Sequence, residues 1–156
     1  MVSTLVNTKL WIYQINRKIG EDEQEHLEES LNQFLSQWQS HGSALKARGY
    51  ILYNLFLIVE LDPTQTEASG CSIDKLVKFL KEQESRFDFS FFDRTRMAYW
   101  QDDQVVDCDL DTFRERYRND IIDDQTPVFN TLLESGMNWE TNWLVPLKES
   151  WHKRLV

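Results

Sequence analysis

The chain has 156 residues, a length that folds as about one domain and buries a core without metal or disulfide support. Hydrophobic residues make up 41% of the chain, and it holds only five Gly and three Pro, which excludes a disordered or collagen-like protein. The formal net charge of −9 repels phosphate backbones at long range, so we do not expect a nucleic-acid partner.

The N-terminal third predicts a strand and then a long helix. The β-branched and aromatic residues of Leu10–Ile15 predict a mostly buried strand. Apolar residues at helical spacing, preceded by a cluster of acidic residues, predict a helix over 21–39. His41-Gly42 is predicted to end this helix.

The middle of the chain predicts two paired strands, a polar loop and a second helix. Residues 44–52 and 55–61 predict strands joined by a turn near Tyr53-Asn54, and the second strand is apolar enough to be buried on both faces. A polar loop over 62–70 follows. A helix is then predicted from about Ser72 to Ser85.

The last third is less regular. Residues 95–100 and 105–108 predict a strand pair, and Asp109 or Asp111 is predicted to cap a short helix. Thr126-Pro127 suits a helix start, but residues 128–133 are equally compatible with a strand, so both alternatives stay open. Short mixed elements are expected for the remaining Trp-rich tail.

The predicted order of elements indicates an α+β fold. The succession β-α-β-β-α-β is that of a ferredoxin-like arrangement, in which four strands form an antiparallel sheet with both helices on one face. We therefore predict one α+β domain over 1–156 with a C-terminal extension. An open sheet face in such a fold would suit a homodimer.

A cysteine at the predicted start of the second helix is the first candidate site. Backbone N–H groups at a helix N-terminus favour anions and can lower the pKa of a thiol. Cys71 is therefore a candidate nucleophile, and Ser69, Gly70 and Ser72 are candidate ligand-binding residues. Asp74, in the same first turn, argues against both hypotheses, and an ordinary capped helix is the third interpretation.

A nucleophilic cysteine needs a base. His152, beside Trp151 and Lys153 in the C-terminal tail, is the histidine in the most unusual context and is the candidate partner for Cys71. A solvated tail is the alternative interpretation.

Basic and aromatic residues provide a second candidate site. Trp151, Lys153, Arg94 and Arg96 would form a ligand-binding patch on an acidic body, because cations beside aromatic rings can bind phosphates or stack on bases. Ion pairs with surface carboxylates are the alternative role for these cations.

No metal site or cofactor is expected. The sequence has no Cys-x-x-Cys and no His-Glu-x-x-His, and its acidic run 102–111 does not follow a calcium-loop pattern. The segment Met1–Lys9 shows no secretion signal, and no apolar stretch is long enough to span a membrane. We therefore predict a cytoplasmic protein with two free thiols, with a Cys71–Cys108 disulfide left open.

Three stretches together resemble a known family. They are Trp11–Lys18, Ala68–Lys75 and Val145–Arg154. On these motifs the chain resembles, over nearly its whole length, a family of short bacterial proteins that are often labelled "ABC transporter ATPase". The family carries no established activity, so the resemblance implies no catalytic residues.

The ATPase label is not supported by the residues of this chain. A phosphate-binding P-loop needs Gly-Lys-Ser/Thr after a strand, and none of the five glycines is followed by Lys. We predict a small-ligand or protein-binding domain. The alternative is a thiol-dependent enzyme with Cys71 as the nucleophile.

Overall fold

The structure, a computed structural model, describes residues 7–156. These residues form two compact units. Unit 1 takes in the chain up to Phe92 together with Glu134–Met137, and unit 2 takes in Asp93–Leu133 together with Asn138–Val156. Residues 1–6, part of the stretch in which the sequence shows no secretion signal, lie outside the described residues.

Unit 1 contains two helices and two antiparallel sheets. Its elements are, in chain order, β1 (Lys9–Gln14), α1 (Glu21–Ser36), β2 (Gln39–Ser40), β3 (Ser43–Ala44), β4 (Lys46–Leu52), β5 (Phe56–Asp62) and α2 (Gly70–Arg86). The fold is therefore α+β, as the sequence predicts.

The main sheet of unit 1 has the strand order β1-β5-β4. β5 is central because it is the most apolar strand, and it pairs antiparallel with both neighbours, starting at Lys9↔Leu61 on one side and Lys46↔Asp62 on the other. β1 and β4 consequently run parallel to each other on either side of β5. The sheet has three strands, so the four-stranded ferredoxin-like sheet predicted from the sequence is not found.

The fourth strand of the predicted ferredoxin-like sheet does not join these three. The strand predicted over 95–100 pairs instead within unit 2, and the free side of β1 is occupied by a short segment from later in the chain. There Leu10 N–H donates to the Glu134 carbonyl at 2.8 Å, and Gly136 N–H donates to the Thr8 carbonyl at 3.1 Å. The physical reason is that β6 (Arg96–Gln101) is paired on both edges, with residues 104–109 on one side and residues 127–129 on the other, and both partners are nearer along the chain than β1, so pairing with them costs less loop-closure entropy.

Helix α1 packs its apolar stripe on the sheet. Leu27, Leu31 and Leu35 are buried, while acidic residues occupy the first turn and complement the helix dipole. The Glu23 carboxylate also accepts a bond from the Gly20 N–H at 3.1 Å, which helps to start the helix.

The predicted end of α1 at His41-Gly42 is wrong. The helix ends at Ser36, and His41-Gly42 forms the two-residue turn of the β2-β3 hairpin, with Ser40 opposite Ser43. Both turn residues have positive φ, 52° and 81°, as a hairpin turn of this kind requires.

On the sheet face opposite the helices, the Glu60 carboxylate is paired with Arg48 at 3.0 Å and bonded by the Tyr50 hydroxyl. The expectation of a homodimer stays a prediction.

Unit 2 is built on a four-stranded antiparallel sheet in the order β7-β6-β8-β9. Its elements are β6 (Arg96–Gln101), β7 (Gln104–Asp109), α3 (Leu110–Arg118), β8 (Pro127–Phe129) and β9 (Leu144–Pro146), followed by 3-10 turns in the tail. The Asp109 carboxylate accepts from the Thr112 N–H at 2.7 Å and caps α3. Residues 127–129 are a strand, which decides the alternative left open by the sequence.

The sequence predicts one α+β domain over 1–156. It stays a prediction. Among the described residues, no helix has the length and apolar character needed to traverse a bilayer.

Candidate functional site

The segment that holds the predicted thiol begins α2, which starts at Gly70, two residues earlier than the sequence suggests. Ser69 is the cap: its hydroxyl accepts from the Ser72 N–H at 3.2 Å, and the Ser72 hydroxyl accepts from the Ser69 N–H at 2.8 Å. Ser72 is only 1% exposed. Both hydroxyls are therefore engaged in starting the helix.

Cys71 lies exposed on the first turn of α2, whereas Cys108 is buried in unit 2. Both thiols are free, so no disulfide joins them. Burial raises the pKa of Cys108 to about 11, which keeps that thiol protonated and unreactive at neutral pH. An added Cβ at Gly70 would meet nothing within 4 Å, so this glycine is not needed for close packing.

His152 is enclosed in the core of unit 2. It is 1% exposed, and its ring stacks on that of Trp151 with centroids 3.8 Å apart. The centroid of the Phe113 ring lies 5.7 Å from that of His152. Its Nδ1 is hydrogen-bonded with the Ser150 hydroxyl at 2.7 Å. Burial lowers the pKa of His152 to about 4, so the ring is neutral at physiological pH.

The predicted basic patch is largely occupied by internal partners. Arg96 Nη2 pairs with Asp107 at 2.9 Å. Lys153 Nζ lies 2.8 Å from both the Asp124 carboxylate and the Tyr117 hydroxyl. The hydrogen bond from Lys153 is the main reason why the pKa of Asp124 is held below its usual range.

Two further members of the patch differ in exposure. Trp151 is half-buried and donates from Nε1 to Asn130 at 3.0 Å, while Arg94 is exposed on the turn before β6.

The predicted site residues therefore do not form one cluster within either unit. Ser69, Gly70, Cys71 and Ser72 belong to unit 1, and Arg94, Arg96, Trp151, His152 and Lys153 belong to unit 2. The structure instead forms a cleft beside the first of these groups, the residues from Ser69 to Ser72.

A cleft of about 430 Å³ opens in unit 1 between the start of β1, the end of β5 and the start of α2. We call it the β1–α2 cleft, and it is lined by Asn7, Lys9, Leu61, Pro63, Glu67, Ala68, Ile73 and Ser135. Its size falls within the range of small-molecule sites. Two of its lining residues, Ala68 and Ile73, flank the segment from Ser69 to Ser72.

The chain topology explains the position of the cleft. Because β1 and β5 are antiparallel, the first residue of β1, Lys9, lies beside Leu61 near the end of β5. The chain leaves β5 at that point and returns through a polar loop to α2. Ser135 is held on the other side of Lys9 by its bridge to β1.

Hydrogen bonds order the walls of the cleft. Thr64 donates from both its N–H, at 3.0 Å, and its hydroxyl, at 2.7 Å, to the Asp62 carboxylate, which shapes the loop after β5. These bonds hold the pKa of Asp62 below its usual range. Trp38 Nε1 donates to the Ser72 carbonyl at 2.8 Å and ties the first turn of α2 to the chain after α1.

Sequence reasoning singled out the start of α2 but missed Lys9, Glu67 and Ser135. The polar loop before α2 was the only local signal. Ser135 lies over 120 residues from Lys9 along the chain, and their contact follows from tertiary pairing alone.

In residues 7–156, no group of three or more His, Cys, Asp or Glu side chains is placed to hold a metal ion. Comparison of the chain with protein-family models, with curated proteins and with solved structures finds no match. The resemblance to the family of short bacterial proteins therefore stays a prediction.

Proposed function

We propose that the protein is a small-ligand-binding domain and that its ligand occupies the β1–α2 cleft. The observation that carries this proposal is the cleft itself, with about 430 Å³ of space next to the start of α2. Sites of this size that combine apolar walls with a few polar groups are the usual form of small-molecule pockets.

The composition of the cleft supports a small ligand. Leu61, Pro63, Ala68 and Ile73 offer apolar surface, which stabilises a bound molecule through burial. Asn7, Lys9, Glu67 and Ser135 offer polar groups that can orient it.

The ordering of the cleft also supports binding. Backbone bonds hold the segment 134–136 against β1, and reciprocal bonds between Ser69 and Ser72 hold the start of α2. A preordered site loses less conformational entropy when a ligand binds.

The test is a screen of small metabolite-like molecules by NMR, followed by one blocking substitution. Ser135→Trp would place an indole at the exposed rim of the cleft. Gln65→Trp, at an exposed position in the loop between β5 and α2 but outside the lining, is the matched control. We expect ligands that shift the amide signals of Ala68 and Ile73 to lose at least about tenfold in affinity in Ser135→Trp and to keep it in Gln65→Trp.

Two outcomes would overturn the proposal. One is a screen in which no molecule shifts the cleft signals. The other is a ligand that binds Ser135→Trp as tightly as the unchanged protein while both variants keep the wild-type melting temperature.

The protein-binding and enzyme hypotheses receive less support. The aromatic side chains that would form a protein-binding surface are largely buried, as with Trp139 at 2% and Trp143 at 4% exposure. A thiol-dependent reaction at exposed Cys71 would need a base other than His152, because that imidazole is enclosed in its own unit and bonded with Ser150.

A cytoplasmic location is also a proposal. Free Cys71 and Cys108 are compatible with a reducing compartment, where thiols stay unpaired.

A further inference from the structure

Among the described residues that line the β1–α2 cleft are one cation and one anion, which do not pair with each other. Lys9 and Glu67 both line it. Within residues 7–156, no carboxylate lies at ion-pair distance from Lys9 and no cation lies at that distance from Glu67. Lys9 instead has its ammonium 6.0 Å from the ring centroid of Trp11.

Other charged residues of unit 1 do form ion pairs. At the same end of the sheet, Lys46 pairs with Asp62 at 3.6 Å, and in unit 1 Arg17 pairs with Glu23 at 2.7 Å. Lys9 and Glu67 thus line the same cleft without pairing with each other. A ligand that carries a negative and a positive group can satisfy both side chains.

The rest of the lining limits the ligand further. Leu61, only 1% exposed, and the partly buried Pro63, Ala68 and Ile73 provide an apolar wall beside the two charges. The wall suits a hydrocarbon side chain. Asn7 and Ser135 add an amide and a hydroxyl that can bond to a carboxylate or an ammonium group.

The net charge of the whole chain also favours a zwitterion over an anion as the ligand. With a formal net charge of −9, the protein repels free anions at long range, and a phosphate would approach the cleft against this field. A zwitterion has no net charge and does not meet this barrier. Its two ends can still form charge-assisted hydrogen bonds inside the cleft.

We propose that the ligand of the β1–α2 cleft is a small zwitterion with an apolar side chain, of amino-acid or dipeptide size. Lys9 donates to its carboxylate, and Glu67 accepts from its ammonium group. The apolar wall receives its side chain. This inference rests on the proposed function and names the ligand class for the same site.

The experiment compares four probes by NMR titration of the full chain. Leucine and leucyl-leucine carry both charges, N-acetyl-leucine lacks the ammonium group, and leucine amide lacks the carboxylate. We expect at least one of the zwitterions to bind about tenfold more tightly than both blocked compounds, because each blocked compound loses one charge-assisted contact. The comparison of leucine with leucyl-leucine distinguishes the two ligand sizes.

Substitutions assign each contact. Lys9→Gln should weaken the binding of the zwitterion about tenfold and leave the affinity for leucine amide unchanged. Glu67→Gln should likewise weaken the binding of the zwitterion about tenfold and leave the affinity for N-acetyl-leucine unchanged. Lys46→Gln, which removes a lysine at the same end of the sheet but outside the lining, should have little effect.

The outcomes separate this inference from the proposed function. If the blocked compounds bind as tightly as the zwitterions, or if other screened molecules bind the cleft and none of these four does, the zwitterion inference is wrong and the proposed function stands. If nothing binds the cleft, both fail. If Lys9→Gln and Lys46→Gln weaken binding equally, the assignment of Lys9 is wrong.

Discussion

Gly49 shows how one residue can depend on the absence of a side chain. It lies in β4 on the face that packs against α1, and a Cβ added there would come within 2.8 Å of Leu35 Cδ1 and still closer to Leu31. The strand and the helix can approach each other because nothing occupies this space. At Gly70, by contrast, an added Cβ would meet no atom within 4 Å.

This contrast predicts opposite effects of the same substitution. Gly49→Ala should lower the free energy of unfolding by about 1–3 kcal/mol, because the new methyl group overpacks the contact with Leu31 and Leu35. Gly70→Ala should leave it unchanged or raise it by up to about 1 kcal/mol, because Ala is the better helix former. Urea denaturation measures both, and a neutral Gly49→Ala would show that α1 is not packed this closely on β4.

At the level of elements, α2 depends on its first turn. Ser69 and Ser72 exchange hydrogen bonds, and Ser72 also presents its carbonyl to Trp38. An ordinary capped helix is one of the three interpretations of this segment, and both serines take part in the cap. The helix begins at Gly70 instead of Ser72 because Ser69 is the residue with extended backbone whose hydroxyl reaches back to the helix.

The capping bonds predict that two serines at the start of α2 contribute more to the free energy of unfolding than a third serine near its end. Ser69→Ala and Ser72→Ala should each lower the free energy of unfolding by about 1 kcal/mol, because each leaves a backbone N–H without its partner. Ser85→Ala, at an exposed position near the other end of α2, is the matched control and should be close to neutral. Chemical denaturation of the three variants checks this, and equal effects at all three positions would contradict the capping geometry.

At the level of the whole molecule, stability should depend on pH through a buried histidine. The folded-state pKa of His152 is about 4, below the ordinary value of about 6.5 expected in the unfolded chain. The unfolded chain therefore binds a proton more readily than the folded one at acidic pH. The resulting stability is fully present above about pH 6.5 and is lost as the pH falls toward 4.

The expected size of this effect is about 2 kcal/mol between pH 7.5 and pH 4.5. His152→Gln should remove that part of the pH dependence, although it will also change the packing in the core of unit 2. His26→Gln, at an exposed histidine of α1, is the matched control for the substitution itself. Denaturation curves at several pH values measure it, and identical pH profiles for the wild type and His152→Gln would show that His152 is not held neutral in the folded protein.

Local pattern accounts for much of the fold. Apolar periodicity located both long helices and the buried strand β5, because burial on one face or on two leaves a signature within a single segment. Tight turns were harder to read. The sequence predicts a helix end at His41-Gly42, but a glycine after a polar residue suits a hairpin turn as well as a helix C-terminus.

The sequence by itself determined the α+β class, the order of the longer elements as far as α3 and the capped start of α2. Each of these depends on interactions between residues that are close along the chain. The tertiary structure alone decided that the fourth predicted strand pairs in unit 2, that His152 is buried, and that Lys9, Glu67 and Ser135 share one cleft. These features depend on which distant segments pair, and long-range pairing is selected by the packing of the whole chain, which no local pattern records.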